Sequence, residues 1–330
     1  MKRLAVLLPL FLGLLRPAAA QVYTATDPLA HTYSVVARDP QTGDLAVAVQ
    51  SHWFSVGTSV SWAEAGVGAV ATQSFTNKSF GPRGLALLKA GKSAQEALDE
   101  LLRTDESRDV RQVALIDNQG RVATHTGAKC IDMAGHRQGK QFSVQANMML
   151  NNTVPAAMQQ AYEQNTQLPF AERVVAALQA AQAAGGDIRG RQSAALLVVR
   201  AKPGAGVWED RLIDLRVDDA AEPLQELSRL LSLHRAYEHM NAGDLAVEKN
   251  DVPGAIREYQ AAEKLFPQNL EMQYWHAISL ANKQQVPAAL KMLAPIFKQD
   301  PNWRTLTGRL PKVGLLTVTN AELKQILSLR

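Results

Sequence analysis

Thr32 opens the alternating stretch TYSVVAR, and the stretch after it closes on Gln50, Ser51 and His52. A threonine at the head of a strand can attack a carbonyl when its own α-amino group is free to take the proton. That amine titrates near ~8, so a useful fraction is unprotonated at neutral pH. Threonine is also common in strands because it is β-branched, so residue type alone does not decide. Strand alternation puts Ser34 on the face of Thr32, as a supporting hydroxyl or an alternative nucleophile. Cys130, the only cysteine, is a rival with His125 and His136 near it in sequence. Catalysis there needs a thiolate, and a free cysteine otherwise serves as a small buried apolar residue.

Other polar residues have both a plain use and a chemical one. Gln73, Ser74 and Asn77 stand between a strand and a helix, where turn and capping bonds are the ordinary use. Aimed at a reacting carbonyl, the same groups become oxyanion donors. Asn147 ends a strand, as a turn residue or as part of the same cleft. Arg189 and Arg191 flank Gly190, where they solvate a loop or hold a substrate carboxylate in bidentate fashion. His52, His125 and His136 share no recognised metal-ligand spacing, and the chain carries no glycine-rich phosphate loop. No metal or other cofactor is therefore expected.

These residues need rigid elements to hold them. Residues 32–38 and 44–50 read as strands around the turn Pro40-Gln-Thr-Gly43, with strand-like stretches following at 56–62 and 68–73. A helix opens at Pro82-Arg83 and stops at Gly91. Ser93-Ala-Gln-Glu96 is a capping box ahead of Ala97, Leu98, Leu101 and Leu102 at helical spacing. Strands return at 113–116, 121–124 and 141–149, helices at 155–164 and 169–184, and strands at 193–200 and 211–217. Helices come in pairs between strands, with no single βαβ alternation, which speaks against a Rossmann-type sheet and fits helices packed outside two sheets better.

The ends of the chain differ in character. Met1-Lys2-Arg3, an apolar run over 4–15 and Ala18-Ala19-Ala20 have the layout of a secretory signal. Pro9 interrupts the run, which is short for a permanent span; an uncleaved anchor is the other use of such a segment. Cleavage after Ala20 gives a periplasmic or secreted protein beginning at Gln21. Loss of Lys2, Arg3 and Arg16 lowers the formal charge of +4 to +1, which gives no argument for nucleic acid or anionic lipid. No second run is long enough to span a membrane. Beyond Glu222-Pro223 the pattern is helical. Gly243, Ala255, Tyr259, Ala262 and Pro267 match tetratricopeptide spacing, and Ala277, Ala289, Leu293 and Pro301 stand one 34-residue period later. Such units stack into a concave surface for a protein partner, or form a helical cap on the first domain.

Four stretches add a resemblance: TYSVVARDPQTGDLAVAVQSHWFSVG, WAEAGVGAVATQSFTNKSFGPRGLALL, RVATHTGAKCIDMAGHRQGKQFSVQAN and GGDIRGRQSAALLVVR. With LIDLRVDDAAEPLQELSRLLSLH, they resemble the domain of unknown function 1028 family over about two-thirds of the chain. That family is grouped with the N-terminal-nucleophile hydrolases, which implies an α+β, four-layer αββα sandwich. The organisation expected is a signal at 1–20, a leader at 21–31, the sandwich at 32–235 and an all-α tetratricopeptide-like domain at 236–330. By analogy with proteasome-type members, Thr32 falls where their nucleophile stands, and Gln50 and Ser51 where an acidic residue and a serine end the next strand. Gln50 departs from that pattern, being an amide. Asp187 and Ser193 would approach the nucleophile's amine, with Gln73 and Asn77 near the oxyanion. No residue clearly supplies the lysine that proteasome-type sites place near the nucleophile; Lys78 and Arg191 are the candidates to replace it electrostatically.

The resemblance implies an amide hydrolase. Thr32, Ser51, Gln73, Asp187 and Ser193 would be its catalytic residues, facing one cleft. His52, Asn77, Asn147, Arg189 and Arg191 would line the substrate site. Expected partners are a small-molecule or peptide substrate, a protein bound by the helical part, and a second copy of the chain in a homo-oligomer. The alternative is a non-catalytic envelope scaffold. Thr32 lends its amine only after a cut between His31 and Thr32, so the start of the mature chain separates the two readings.

Overall fold

The computed structural model describes residues 29, 30 and 32–329. The expected signal at 1–20, leader residues 21–28 and His31 lie outside the described residues. Strand β1 (Leu29–Ala30) comes first, then β2 (Thr32–Arg38) and β3 (Leu45–Ser51) around the expected turn. The strand expected at 56–62 is instead a helical turn, α1 (Gly57–Val60), leading into β4 (Ser61–Glu64). Gly57 permits this: a Cβ there would sit 2.5 Å from the Ala195 Cβ. Next come β5 (Gly68–Phe75), α2 (Phe80–Lys89) and α3 (Ala94–Arg103), the last opened by the capping box read from Ser93 and Glu96.

Four strands follow: β6 (Arg111–Asp117), β7 (Val122–Thr126), β8 (Gly135–Gly139) and β9 (Phe142–Ala146). The strand expected at 141–149 stops at Ala146, and Met148 turns into the left-handed region at φ 60°. β8 escaped the sequence reading because Gly-His-Arg-Gln-Gly has no apolar alternation; it lies at a sheet edge. Helices α4 (Val154–Gln164) and α5 (Phe170–Ala183) precede β10 (Ser193–Val199) and β11 (Arg211–Val217).

One sheet has the order β1-β5-β6-β7, with β4 also pairing β5; the other runs β11-β10-β3-β2-β9-β8. Three apolar cores separate four layers. Tyr33, Val35 and Val144 pack under α4, α5 and the start of the next helix. Val36, Val47, Ala71 and Leu197 fill the space between the sheets. Val70, Leu115, Leu98 and Leu101 join the first sheet to α2 and α3. Residues 32–235 thus form an α+β sandwich layered αββα, with the all-α part following.

The boundary drawn at residue 235 falls inside one continuous helix, α6 (Pro223–Glu248). Leu224, Leu227 and Leu231 on its first half belong to the sandwich core, while Ala236 and Met240 belong to the helical part. Then come α7 (Val252–Leu265), α8 (Leu270–Asn282), α9 (Val286–Gln299), α10 (Asn302–Thr307) and α11 (Asn320–Leu327). Gly243, Ala255, Tyr259 and Ala262 meet between α6 and α7, and Ala277, Ala289 and Leu293 between α8 and α9. Gly243 is where the backbone of α6 meets the ring of Tyr259: a Cβ there would lie 2.5 Å from the ring. Gly243→Val is expected to destabilise the helical part by about 1–3 kcal/mol through overpacking. Thermal unfolding should show an earlier helical transition with the sandwich transition unmoved.

Candidate functional site

Strand parity builds the site. Val36, Val47, Val49, Ala71, Ala114 and Leu197 face the space between the sheets. Residues two or more positions along on the same parity are Thr32, Ser34, Ser51, Gln73, Gln112 and Ser193, so these polar side chains share that layer. One end of the inter-sheet layer is therefore apolar and the other polar. Direct pairing sets the row: Thr32 lies opposite Ser51, and Ser51 opposite Ser193. Asn147 completes it on the other flank, its backbone N–H donating to the Thr32 carbonyl at 3.1 Å.

Within this layer the hydrogen bonds are dense. Thr32 Oγ1 donates to Ser51 Oγ at 3.4 Å. The Thr32 carbonyl also accepts from Gln73 Nε2 at 3.2 Å and Asn147 Nδ2 at 3.4 Å. Ser34 Oγ donates to Gln73 Oε1 at 2.6 Å and accepts from Gln145 Nε2 at 2.6 Å. Gln112 is the hub: its Oε1 accepts from Gln73 at 2.7 Å and from Asn147 at 2.9 Å, and its Nε2 donates to Thr126 Oγ1 at 2.9 Å. Sequence reading missed Gln112 and Gln145. For Gln112 the signal was there, as a long polar side chain on the same parity as Ala114 and Ile116. Ser74 (φ 73°) and Met148 (φ 60°) directly follow Gln73 and Asn147 in the left-handed region. Two non-glycine residues in that conformation beside one network mark backbone strain held by the surrounding bonds.

Several expected roles change. Gln73 directs its amide nitrogen at the carbonyl of Thr32 and at Gln112, so it positions the threonine backbone where an oxyanion contact was expected. Asn77 accepts from the Ser79 N–H and hydroxyl, the turn use. Ser193, two strands from Thr32, donates to the Trp53 carbonyl and accepts from the Val56 N–H at 3.0 Å, pinning the loop after β3. The buried Asp187 carboxylate accepts from Arg189 Nη2 at 2.7 Å, Arg189 Nε at 3.0 Å and the His52 N–H at 3.3 Å. Arg191 is paired with Glu222, and exposed His52 stands 3.4 Å from the Arg191 carbonyl. Asp187, Arg189, Arg191 and His52 thus form an arch at the same end of the sheet. Gln50 points to the helix side and accepts from the Tyr33 hydroxyl. Burial, and then the Asp187 charge, hold that hydroxyl well above its ordinary pKa, so it remains a neutral donor.

The open cleft expected at Thr32 is a closed polar layer. Thr32, Ser51, Gln73 and Ser193 are fully buried. The chain entering Thr32 explains the closure. Ala30 pairs with Ser74 of the first sheet, and two residues later Thr32 pairs with Ser51 of the second. The upstream segment therefore bridges the two sheets across their polar end.

Cys130 is buried and its thiol lies above its ordinary pKa, raised by burial against a weaker pull from Ser74. It is expected to alkylate more than about tenfold slower at pH 8 in the native chain than in urea, because little thiolate forms. Iodoacetamide labelling followed by mass spectrometry measures this. His125 bonds the Arg108 carbonyl at 2.9 Å and His136 the Thr126 hydroxyl at 2.8 Å. Among the described residues no cluster of three His, Cys, Asp or Glu side chains is placed to hold a metal ion. No helix among them is long and apolar enough to cross a membrane.

A family model described as "Family of unknown function (DUF1028)" matches residues 32–227. The chain belongs to the DUF1028 family. Protein SPO2555 from Silicibacter pomeroyi, a DUF1028 protein known from its crystal structure, is 29% identical. The two superpose with a TM-score of 0.55, over 61% of this chain and 88% of that one. A comparison with curated proteins finds no match. The DUF1028 match begins at Thr32, the first residue of β2, and ends within the first half of α6. The α7–α11 helices lie beyond it.

Proposed function

We propose that this DUF1028 protein is an exported amide hydrolase of the N-terminal-nucleophile type, whose form with residues 29–31 attached is a precursor. One observation carries the reading. Thr32 heads β2 at the polar end of the inter-sheet layer, its hydroxyl 3.4 Å from Ser51 and its carbonyl clamped by Gln73 and Asn147. A cut between His31 and Thr32 frees the amine beside that hydroxyl and removes the segment that bridges the sheets. The Thr32 hydroxyl then adds to an amide carbonyl and its proton passes to the α-amino group. The carbon–nitrogen bond breaks, the amine leaves with that proton, and an ester to Thr32 Oγ1 remains. Water cleaves the ester to a carboxylic acid and restores Thr32. Asp187 and Ser193, at the same end, would rearrange to orient the amine. The substrate is an amide of a small molecule or peptide, and Arg189 and Arg191 favour one bearing a carboxylate. The basic start, apolar run and small residues of 1–20 support export to the periplasm or medium. The stacked hairpins of the helical part would recruit a protein partner.

The second reading is a non-catalytic envelope scaffold. Complete burial of Thr32 and the loop-pinning bonds of Ser193 and Asp187 favour it. N-terminal sequencing and intact mass of the exported protein come first, followed by a hydroxyl-directed β-lactone. Molecules beginning at Thr32 should gain one adduct on that residue, and those beginning at Gln21 none. Thr32-initiated protein that takes no adduct leaves only the scaffold.

A further inference from the structure

A cavity of about 310 Å³ lies in the helical part, outside the sandwich. It opens between the end of α6, the ring of Tyr259 on α7, the middle of α8 and Leu315. Its size is at the lower end of ligand pockets, about 300–1,000 Å³. Trp275, Ile278 and Val247 supply apolar wall, and the only charged residues lining it are Asp244 and Glu248. Ser279 also lines it, at 4% exposure, and its hydroxyl has no hydrogen-bond partner among the described residues. One turn earlier on α8, His276 is 5% exposed; its Nδ1 meets Glu263 at 2.8 Å, while its Nε2 has no partner among the described residues. Unpaired buried polar atoms are rare in folded proteins and call for a physical reason.

We propose that this cavity binds a small organic ammonium ion with an apolar body. The ammonium charge faces Asp244 and Glu248, and on binding the Ser279 hydroxyl turns from its closed position to accept from the N–H. The body lies against Trp275 and Tyr259, whose ring faces attract a cation. Anions meet two carboxylates of like charge and are excluded. Asp244 also accepts from the Tyr259 hydroxyl at 2.7 Å. Burial, and then this bond, keep that hydroxyl above its ordinary pKa, so Tyr259 stays a neutral donor. The site is independent of Thr32 and of any reaction in the sandwich.

Titration calorimetry on the full exported chain tests the proposal with three probes of one shape. They are 2-phenylethylamine, its neutral N-acetyl derivative and the anion 3-phenylpropionate. The amine is expected to bind saturably, the neutral amide roughly tenfold or more weaker, and the anion not at all. Asp244→Asn with Glu248→Gln, both at exposed positions, should weaken the amine by roughly tenfold, the equivalent of ~1.4 kcal/mol. Added salt should weaken it further in the natural chain and less in the double variant. Equal binding of the amine and its neutral derivative overturns the proposal, as does indifference to the double substitution or the lack of saturable amine binding.

Discussion

On the proposed mechanism, Thr32→Ala in the processed chain is expected to abolish amide hydrolysis, by at least about a thousandfold, and Thr32→Ser to retain a measurable fraction. Alanine keeps the backbone of β2 and therefore the carbonyl clamp from Gln73 and Asn147. It removes only the β-methyl group and the hydroxyl that sits 3.4 Å from Ser51. Serine restores the hydroxyl without the methyl group that restricts its rotamers. Fold loss is thus separable from loss of chemistry: both variants should keep the thermal transition of the sandwich. Single-turnover acylation by an activated ester or β-lactone reads the step itself. Equal activity in the alanine and serine variants would remove Thr32 from the mechanism.

Asp105→Asn gives the second large effect, on stability. Arg111 Nε and Asp105 Oδ2 are 2.8 Å apart with side chains only 4% and 9% exposed. Arg111 Nη1 also donates to the Phe75 carbonyl at 2.6 Å, which ties the last residue of β5 beside the Gln73 network. Neutralising Asp105 takes a paired carboxylate away from a buried guanidinium, at a cost near the lower end of about 3–5 kcal/mol. Urea unfolding measures it. Asp105→Leu with Arg111→Met should cost much less than Asp105→Asn alone, because both members of the buried pair are then apolar. The pH dependence has a definite sign. Burial pushes the Asp105 carboxyl up, but hydrogen bonds from Arg111 and the Ser107 N–H, with the Arg111 charge, outweigh it and hold it below its ordinary value. Its contribution is therefore full above the unfolded pKa, about 4, and is lost as pH falls through the lower folded value. In the Asp105→Asn variant this acid-limb loss should shrink.

Local pattern made much of the fold legible. Short apolar, β-branched runs between turn signals marked β2, β3, β5, β6 and β10, and Ser93 with Glu96 announced the start of α3. The 34-residue spacing placed Gly243, Ala255 and Tyr259 at one helix contact and Ala289 and Leu293 at the next. These signals need only neighbours a few residues apart, because strand and helix periods are properties of a short backbone. Parity also predicted that Thr32 and Ser34 share a face. The first half of α6 hid the boundary between the two parts, since one helical period serves both the sandwich core and the helical core.

Tertiary structure decided which polar residues meet. Nothing near Gln112 in sequence indicates that its amide will join Gln73, Asn147 and Thr126, because those partners arrive on two neighbouring strands and on the residue just past β9. Asp187 and Ser193 were placed at the correct end of the sheet, but their bonding to Arg189, His52, Trp53 and Val56 follows from how two loops close on each other. The same holds for the closure over Thr32. That Ala30 adds to one sheet while Thr32 belongs to the other depends on the packing of both sheets face to face, a long-range arrangement that no local period encodes.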